Sequence, residues 1–207
     1  MAFSTGFFDG DTEYGQTEFN RYFENLYESG VSLDSSGDMT FKVTADSGST
    51  ITIGEGFAIV KGFFLNNDSD YSISLTADAN YSRIDRVVIQ LNTTSGTITP
   101  TVITGTAGST PTAPSLTRTE TVYEISLAQV LITKSGTITV TDERFDTELC
   151  GAIRPRNITE LKAMTAEYEK QFNEWFASLS SKAWRNVYVQ ADEPTDMVKG
   201  SIWIQEL

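Results

Sequence analysis

A chain of 207 residues with 28 Asp and Glu against 15 Lys and Arg carries a formal charge of −13, which repels nucleic-acid phosphates and argues against a nucleic-acid partner. It contains no His, which removes the usual general base, the Ser–His and Cys–His dyads and the commonest zinc ligand. The lone Cys150 excludes an internal disulfide, and no apolar run approaches the ~20 residues of a membrane span. Hydrophobic residues make up 39%, with Ser, Thr, Asn and Gly filling the gap, the composition of a β-rich protein with long polar turns. The N-terminus, M-A-F-S-T-G-F-F-D-G-D, has neither the basic start nor the apolar core of a secretory signal. The expectation is synthesis in a cytoplasm and a soluble product with no membrane insertion, unless it leaves inside a larger assembly.

Residues 1–30 read as an arm followed by a helix. Phe3, Phe7 and Phe8 sit among Gly and Asp and are expected to dock rather than to fold alone. From Gln16 to Glu28, Phe19, Tyr22, Phe23, Leu26 and Tyr27 recur at helical spacing, with Gly30 as a stop. This stripe either packs on the chain's own sheet or meets another subunit. Residues 31–150 alternate short β segments with turns: 39–44, 49–53, 57–65, 71–75, 81–91, 97–104, 123–132 and 137–140. Pro100 marks an edge or a bulge in its strand. Turns at intervals of roughly 8 to 12 residues and the lack of a βαβ rhythm predict an antiparallel β-sandwich or barrel.

Residues 151–185 are expected to form a hinge and a helical stem. Asn157 and Glu160 have capping-box spacing. Beyond them Leu161, Met164, Tyr168, Phe172, Trp175, Phe176 and Leu179 lie along one side of a helix. The stripe continues about three turns past what one small sheet needs covered, which favours homotypic helix packing over packing on the chain's own domain. Residues 186–207 carry two short strands about an Asp-Glu-Pro turn, expected as a terminal β-hairpin that pairs with a neighbour or caps the stem, because an isolated hairpin is marginal in water. The fold expectation is mainly β: a sandwich with an N-terminal helix, a C-terminal helical stem and a terminal hairpin.

The strongest strand signal is Y-S-R-I-D-R-V-V-I-Q-L at 81–91. Arg83 and Asp85 fall on one face of it and Arg86 on the other, in an otherwise apolar run where an unpaired charge costs several kcal/mol. The partners expected for them lie in T-D-E-R-F-D, which supplies Asp142, Glu143, Arg144 and Asp146. A structural charge lattice is the expected role rather than a chemical site. Acidic turns such as Asp9-Asp11-Glu13 lack the calcium-loop pattern, and no Walker loop or nucleophile elbow is present. No catalytic residue, metal ligand or cofactor is assigned, and the chain is not expected to be an enzyme.

Four blocks in order carry a family resemblance: Y-S-R-I-D-R-V-V-I-Q-L, T-P-T-A-P-S-L-T-R at 110–118, Y-E-I-S-L-A-Q-V at 123–130 and I-T-V-T-D-E-R-F-D-T-E-L-C-G at 138–151. The series resembles tail and baseplate structural proteins of tailed phages of Gram-positive hosts. Y-G-Q-T-E-F-N-R-Y-F-E-N-L-Y-E-S-G-V resembles that family's opening helix, F-N-E-W-F the helix after its β domain, and D-E-P-T-D-M-V-K-G-S-I-W-I an ending found in phage fibre proteins. The resemblance implies a virion component: an adaptor or fibre-base subunit, a homotrimer, whose partners are itself and other tail or baseplate proteins. In that picture Phe3, Phe7, Phe8, Phe19, Tyr22 and Phe23 dock on the tail and the stem stripe joins protomers. The alternative is a host-surface carbohydrate-binding protein that uses exposed aromatics such as Trp184, Tyr188 or Trp203 on a cell-surface glycan.

Overall fold

The computed structural model of the protein describes residues 13–156, 159–181, 187–195, 197 and 201–206. The chain is mainly β and divides into two compact units, Met1–Arg156 and Asn157–Leu207. In the first unit a helix, α1 (Gln16–Leu26), precedes strands that form three antiparallel sheets. One has the order β10-β9-β7-β8, built from β7 (Arg83–Asn92), β8 (Thr97–Ile103), β9 (Val122–Ile132) and β10 (Ile138–Asp142). The second is β1-β4-β5, from β1 (Gly30–Val31), β4 (Gly56–Val60) and β5 (Phe63–Asn67). The third is β2-β3-β6, from β2 (Val43–Ala45), β3 (Thr50–Ile53) and β6 (Tyr71–Ser74). All three contribute to one buried cluster that includes Val31, Phe41, Ile51, Ile53, Val60, Val87, Ile89, Leu127 and Val130. This is the sandwich-like arrangement that the alternating pattern predicts, because each sheet has one apolar face to remove from water.

β7 is a central strand, hydrogen-bonded to β8 on one side and β9 on the other. Its register slips between Val87, opposite Ala128, and Val88, opposite Ser126, so Leu127 is the extra residue of a bulge. The bulge turns both Leu127 and Ala128 into the core. Pro100 faces Ile89 from β8, which is an edge strand with only one neighbour, so its missing N–H leaves no gap in a ladder.

Four expectations are corrected. The apolar run 57–65 is two strands rather than one: Val60 pairs with Phe63 across a two-residue turn in which Lys61 and Gly62 both have positive φ, 52° and 80°. Such a turn matches the right-handed twist of its flanking strands, and Gly supplies the second left-handed position without strain. Gly30 does not stop α1, which ends at Leu26; it lies in β1, where a Cβ would meet the Gly151 carbonyl oxygen at 2.5 Å. The supposed hinge at 151–156 is laced into the first unit by backbone bonds. Val31 N–H donates to Gly151 O (3.0 Å), Ile153 N–H to Val31 O (2.9 Å), Glu28 N–H to Arg154 O (2.8 Å) and Arg156 N–H to Leu26 O (2.8 Å). Gly, Pro and Arg gave this segment the composition of a linker, but its amides are those of a paired strap.

The fourth correction concerns the second unit, which holds α2 (Thr159–Ser181), β11 (Val187–Gln190) and β12 (Ile202–Gln205). β11 and β12 pair in parallel, Tyr188 opposite Trp203, and not as a hairpin. The stretch 191–201 between them far exceeds a two- to five-residue hairpin turn, and parallel pairing requires such a long return.

Gly62 also seats α1: a Cβ there would stand 2.2 Å from the Asn20 carbonyl oxygen of the helix. Lys61 adds an ion pair to Glu24 (2.7 Å), and its amide donates to Ser29 Oγ (3.0 Å). Gly62→Ala is therefore expected to lower stability by about 1 kcal/mol or more in urea unfolding, since the left-handed conformation and the helix contact both oppose a methyl group. An unchanged midpoint contradicts this seating of α1.

Candidate docking and assembly surfaces

The charged residues of β7 are matched in separate pairs. Arg83 Nε and Nη2 grip Asp85 Oδ1 and Oδ2 at 2.7 and 3.0 Å, and Asp85, fully buried, also accepts the Gly105 N–H at 2.8 Å. Hydrogen bonding to Asp85 raises the Arg83 pKa further and keeps the guanidinium charged. On the opposite face Arg86 Nη2 donates to Glu143 Oε1 at 3.2 Å, while its Nε lies 3.2 Å from Oε2 outside hydrogen-bond geometry. Glu143 further accepts from Ser126 Oγ and Gln129 Nε2, each at 2.5 Å. Arg86, Ser126 and Glu143 are all buried.

Arg144 and Asp142 pair with each other. Arg144 Nε and Nη2 donate to Asp142 Oδ1 and Oδ2 at 2.9 and 2.6 Å, and Nη1 donates to the carbonyls of Met39 and Thr40. Partial burial alone would push the Asp142 carboxyl up. The side-chain and backbone bonds from Arg144 outweigh it and hold the group below its ordinary range. Among the described residues Asp146 joins no ion pair; its Oδ1 accepts the Glu148 N–H at 2.9 Å and shapes the turn before Cys150. The sequence therefore places the charges in the right two segments, β7 and the stretch 142–146, but only Arg86 with Glu143 spans them. Glu124 escaped the sequence reading. It is buried, accepts Gln90 Nε2 (2.7 Å) and the Thr117 N–H (2.5 Å), and a lone acid within Y-E-I-S-L-A-Q-V was the available signal.

Cys150 is buried, and that burial pushes its thiol up to about 12 from an ordinary 9.0. The folded state thus retains the proton that the unfolded chain releases. The stability this contributes is complete below pH 9.0 and is lost as pH rises through about 12.

The surfaces read as docking sites are open in the single chain. Phe19, Tyr22, Phe23 and Leu26 of α1 are 40–48% exposed. The helix leaves a groove of about 440 Å³ lined by Asn20, Glu24, Lys61, Phe63, Leu91 and Tyr123. On α2, Met164, Tyr168, Phe172, Trp175 and Phe176 are 47–61% exposed. At about 100° per residue they fall within an arc of roughly 120°. Phe172 lies 5.8 Å from the Trp175 ring and 6.2 Å from Phe176 by ring centroids. Phe3, Phe7, Phe8 and Trp184 lie outside the described residues, as do the side chains of Leu161 and Leu179. Tyr188 and Trp203 are half-buried, and the Trp203 indole N–H donates to Gln190 O at 3.0 Å. No helix among the described residues is long and apolar enough to cross a membrane, and no group of acidic or sulfur ligands among them is placed to hold a metal ion.

Among solved structures the chain is similar to the gene 22 product of the Bacillus subtilis SPP1 phage. The identity is 12% and the TM-score 0.32, over 59% of this chain and 87% of that one. No family model matches the sequence, and no curated protein matches it.

Truncating Glu143 strands Arg86 in the interior. Glu143→Ala is expected to destabilise the protein by about 3 kcal/mol or more, measured by urea unfolding, and a loss below about 1 kcal/mol contradicts a buried pair of this kind. For Cys150, iodoacetamide at pH 9.0 is expected to label the urea-unfolded chain and to leave the folded chain largely unmodified. Equal rates in both states contradict its burial.

Proposed function

We propose that this chain is a structural subunit of a phage tail or baseplate, an oligomeric adaptor that anchors or forms the base of a fibre or receptor-binding apparatus. The observation that carries the reading is the α2 stripe. Five large apolar side chains on one helical face stand 47–61% exposed in the single chain, a surface that a soluble protein covers with a partner. A heptad-like stripe of this width suits a helix of the same sequence, and a closed three-fold bundle covers it on every protomer at once. The four ordered sequence blocks that resemble tail and baseplate proteins support the virion setting. In this reading the sandwich is a rigid, non-catalytic spacer, α1 docks on the neighbouring tail protein through Phe19, Tyr22 and Phe23, and β11 with β12 joins the next piece.

The test uses the full chain. Light scattering is expected to give three times 22.8 kDa for the wild type and 22.8 kDa for the pair Phe172→Asp and Trp175→Asp, with the strand signal in circular dichroism unchanged. A trimer that survives both substitutions, or a wild type that is monomeric at high concentration, overturns the reading.

A further inference from the structure

On a chain of net charge −13, one concavity of about 300 Å³ in the first unit gathers cations: Lys61, Arg118, Arg154 and Arg156, against Glu28 and Glu148. Two of the four are balanced. Lys61 pairs with Glu24 at 2.7 Å, and Arg154 pairs with Glu28. Among the described residues Arg118 is held without a carboxylate. Its Nε donates to Glu124 O (3.3 Å), its Nη2 to Glu148 O and Leu149 O (2.7 and 3.1 Å), and its Cζ lies 5.4 Å from the centroid of the Tyr123 ring. Lys61 Nζ lies 5.4 Å from the centroid of the same ring, so one aromatic surface supports two cations. Arg156 is exposed and, among the described residues, pairs with no carboxylate, although its backbone N–H is fixed to Leu26 O.

We propose that this cleft receives carboxylate side chains from an acidic segment of a partner protein. Arg118 is pre-organised by three carbonyl contacts and carries a charge that no carboxylate among the described residues neutralises, which lowers the ordering cost of binding an anion. Arg156 adds a guanidinium fork with the geometry of a carboxylate. The ligand class follows from the field of the whole chain. A long polyanion such as a nucleic acid meets the repulsion of a −13 surface, whereas a few carboxylates reach the cleft within a screening length of about 8 Å. The site requires nothing of α2 and stands whether or not those helices associate.

The experiment measures fluorescence anisotropy of a fluorescein-labelled oligoglutamate peptide with the full-length protein at about 150 mM salt, where the screening length is about 8 Å. The expected result is saturable binding that weakens roughly fivefold in Arg156→Ser and further in Arg156→Glu, and that is unchanged in Lys134→Ser, a cation outside the cleft. Arg156 is exposed, so the variants are expected to melt with the wild type, and circular dichroism checks this. Absence of peptide binding overturns the proposal. So does an equal loss in Lys134→Ser, which indicates general attraction, or inorganic phosphate binding through Arg156 without peptide binding, which indicates a small-anion site.

Discussion

The fold depends on how the chain resolves the charges inside its central strand. β7 runs between β8 and β9 with Asp85, Arg86, Val87, Val88 and Ile89 all buried in succession. Two ionised groups in such a strand destabilise the structure by several kcal/mol unless each meets an opposite charge and its remaining donors and acceptors are filled. Asp85 meets Arg83 and a backbone amide; Arg86 meets Glu143, which Ser126 and Gln129 also bind, while the Arg86 Nε makes no hydrogen bond among the described residues. These bonds tie β7 to the loop at Gly105, to β9 and to the segment after β10. A slip of β7 by one residue would exchange its faces and break the two bonds that leave the strand, Asp85 to the Gly105 amide and Arg86 to Glu143, so the charges select register as well as tolerating burial.

The legible part of the fold is the part set by local rules. Period-2 alternation marks most of the strands, Pro100 marks the edge of the four-stranded sheet, and Phe19 to Leu26 marks α1. The unread part is the part set by tertiary geometry. Lys61-Gly62 looks like the middle of an apolar run, because Lys is not a usual residue for a left-handed turn position. Gly30 looks like a helix stop, although the backbone of residues 151 and 152 is what excludes a side chain there. The parallel pairing of β11 and β12 is invisible to a pattern that sees two strands and a turn motif between them. The charge partners divide the same way. The i, i+2 spacing puts Arg83 and Asp85 on one face, yet they pair with each other and not with the T-D-E-R-F-D segment expected for them, and Glu124 binds Gln90 and Thr117 through contacts that no spacing encodes.

The surfaces offered for assembly fall on both units. In the first, α1 rests on the Lys61-Gly62 turn with its aromatic stripe about half exposed, and the cationic cleft adjoins the same turn through Lys61. In the second, α2 holds a continuous aromatic face with Phe172 between Trp175 and Phe176. The β body pairs the buried charges of its central strand internally, and α1 and α2 each carry large apolar side chains that are exposed in the single chain.

The proposed structural role requires self-association through α2. A sedimentation-equilibrium dilution series of the intact chain tests it most directly. The account predicts a reversible monomer–trimer equilibrium, from 22.8 kDa at the lowest concentrations to three times that mass at the highest. A single 22.8 kDa species across the whole series contradicts it.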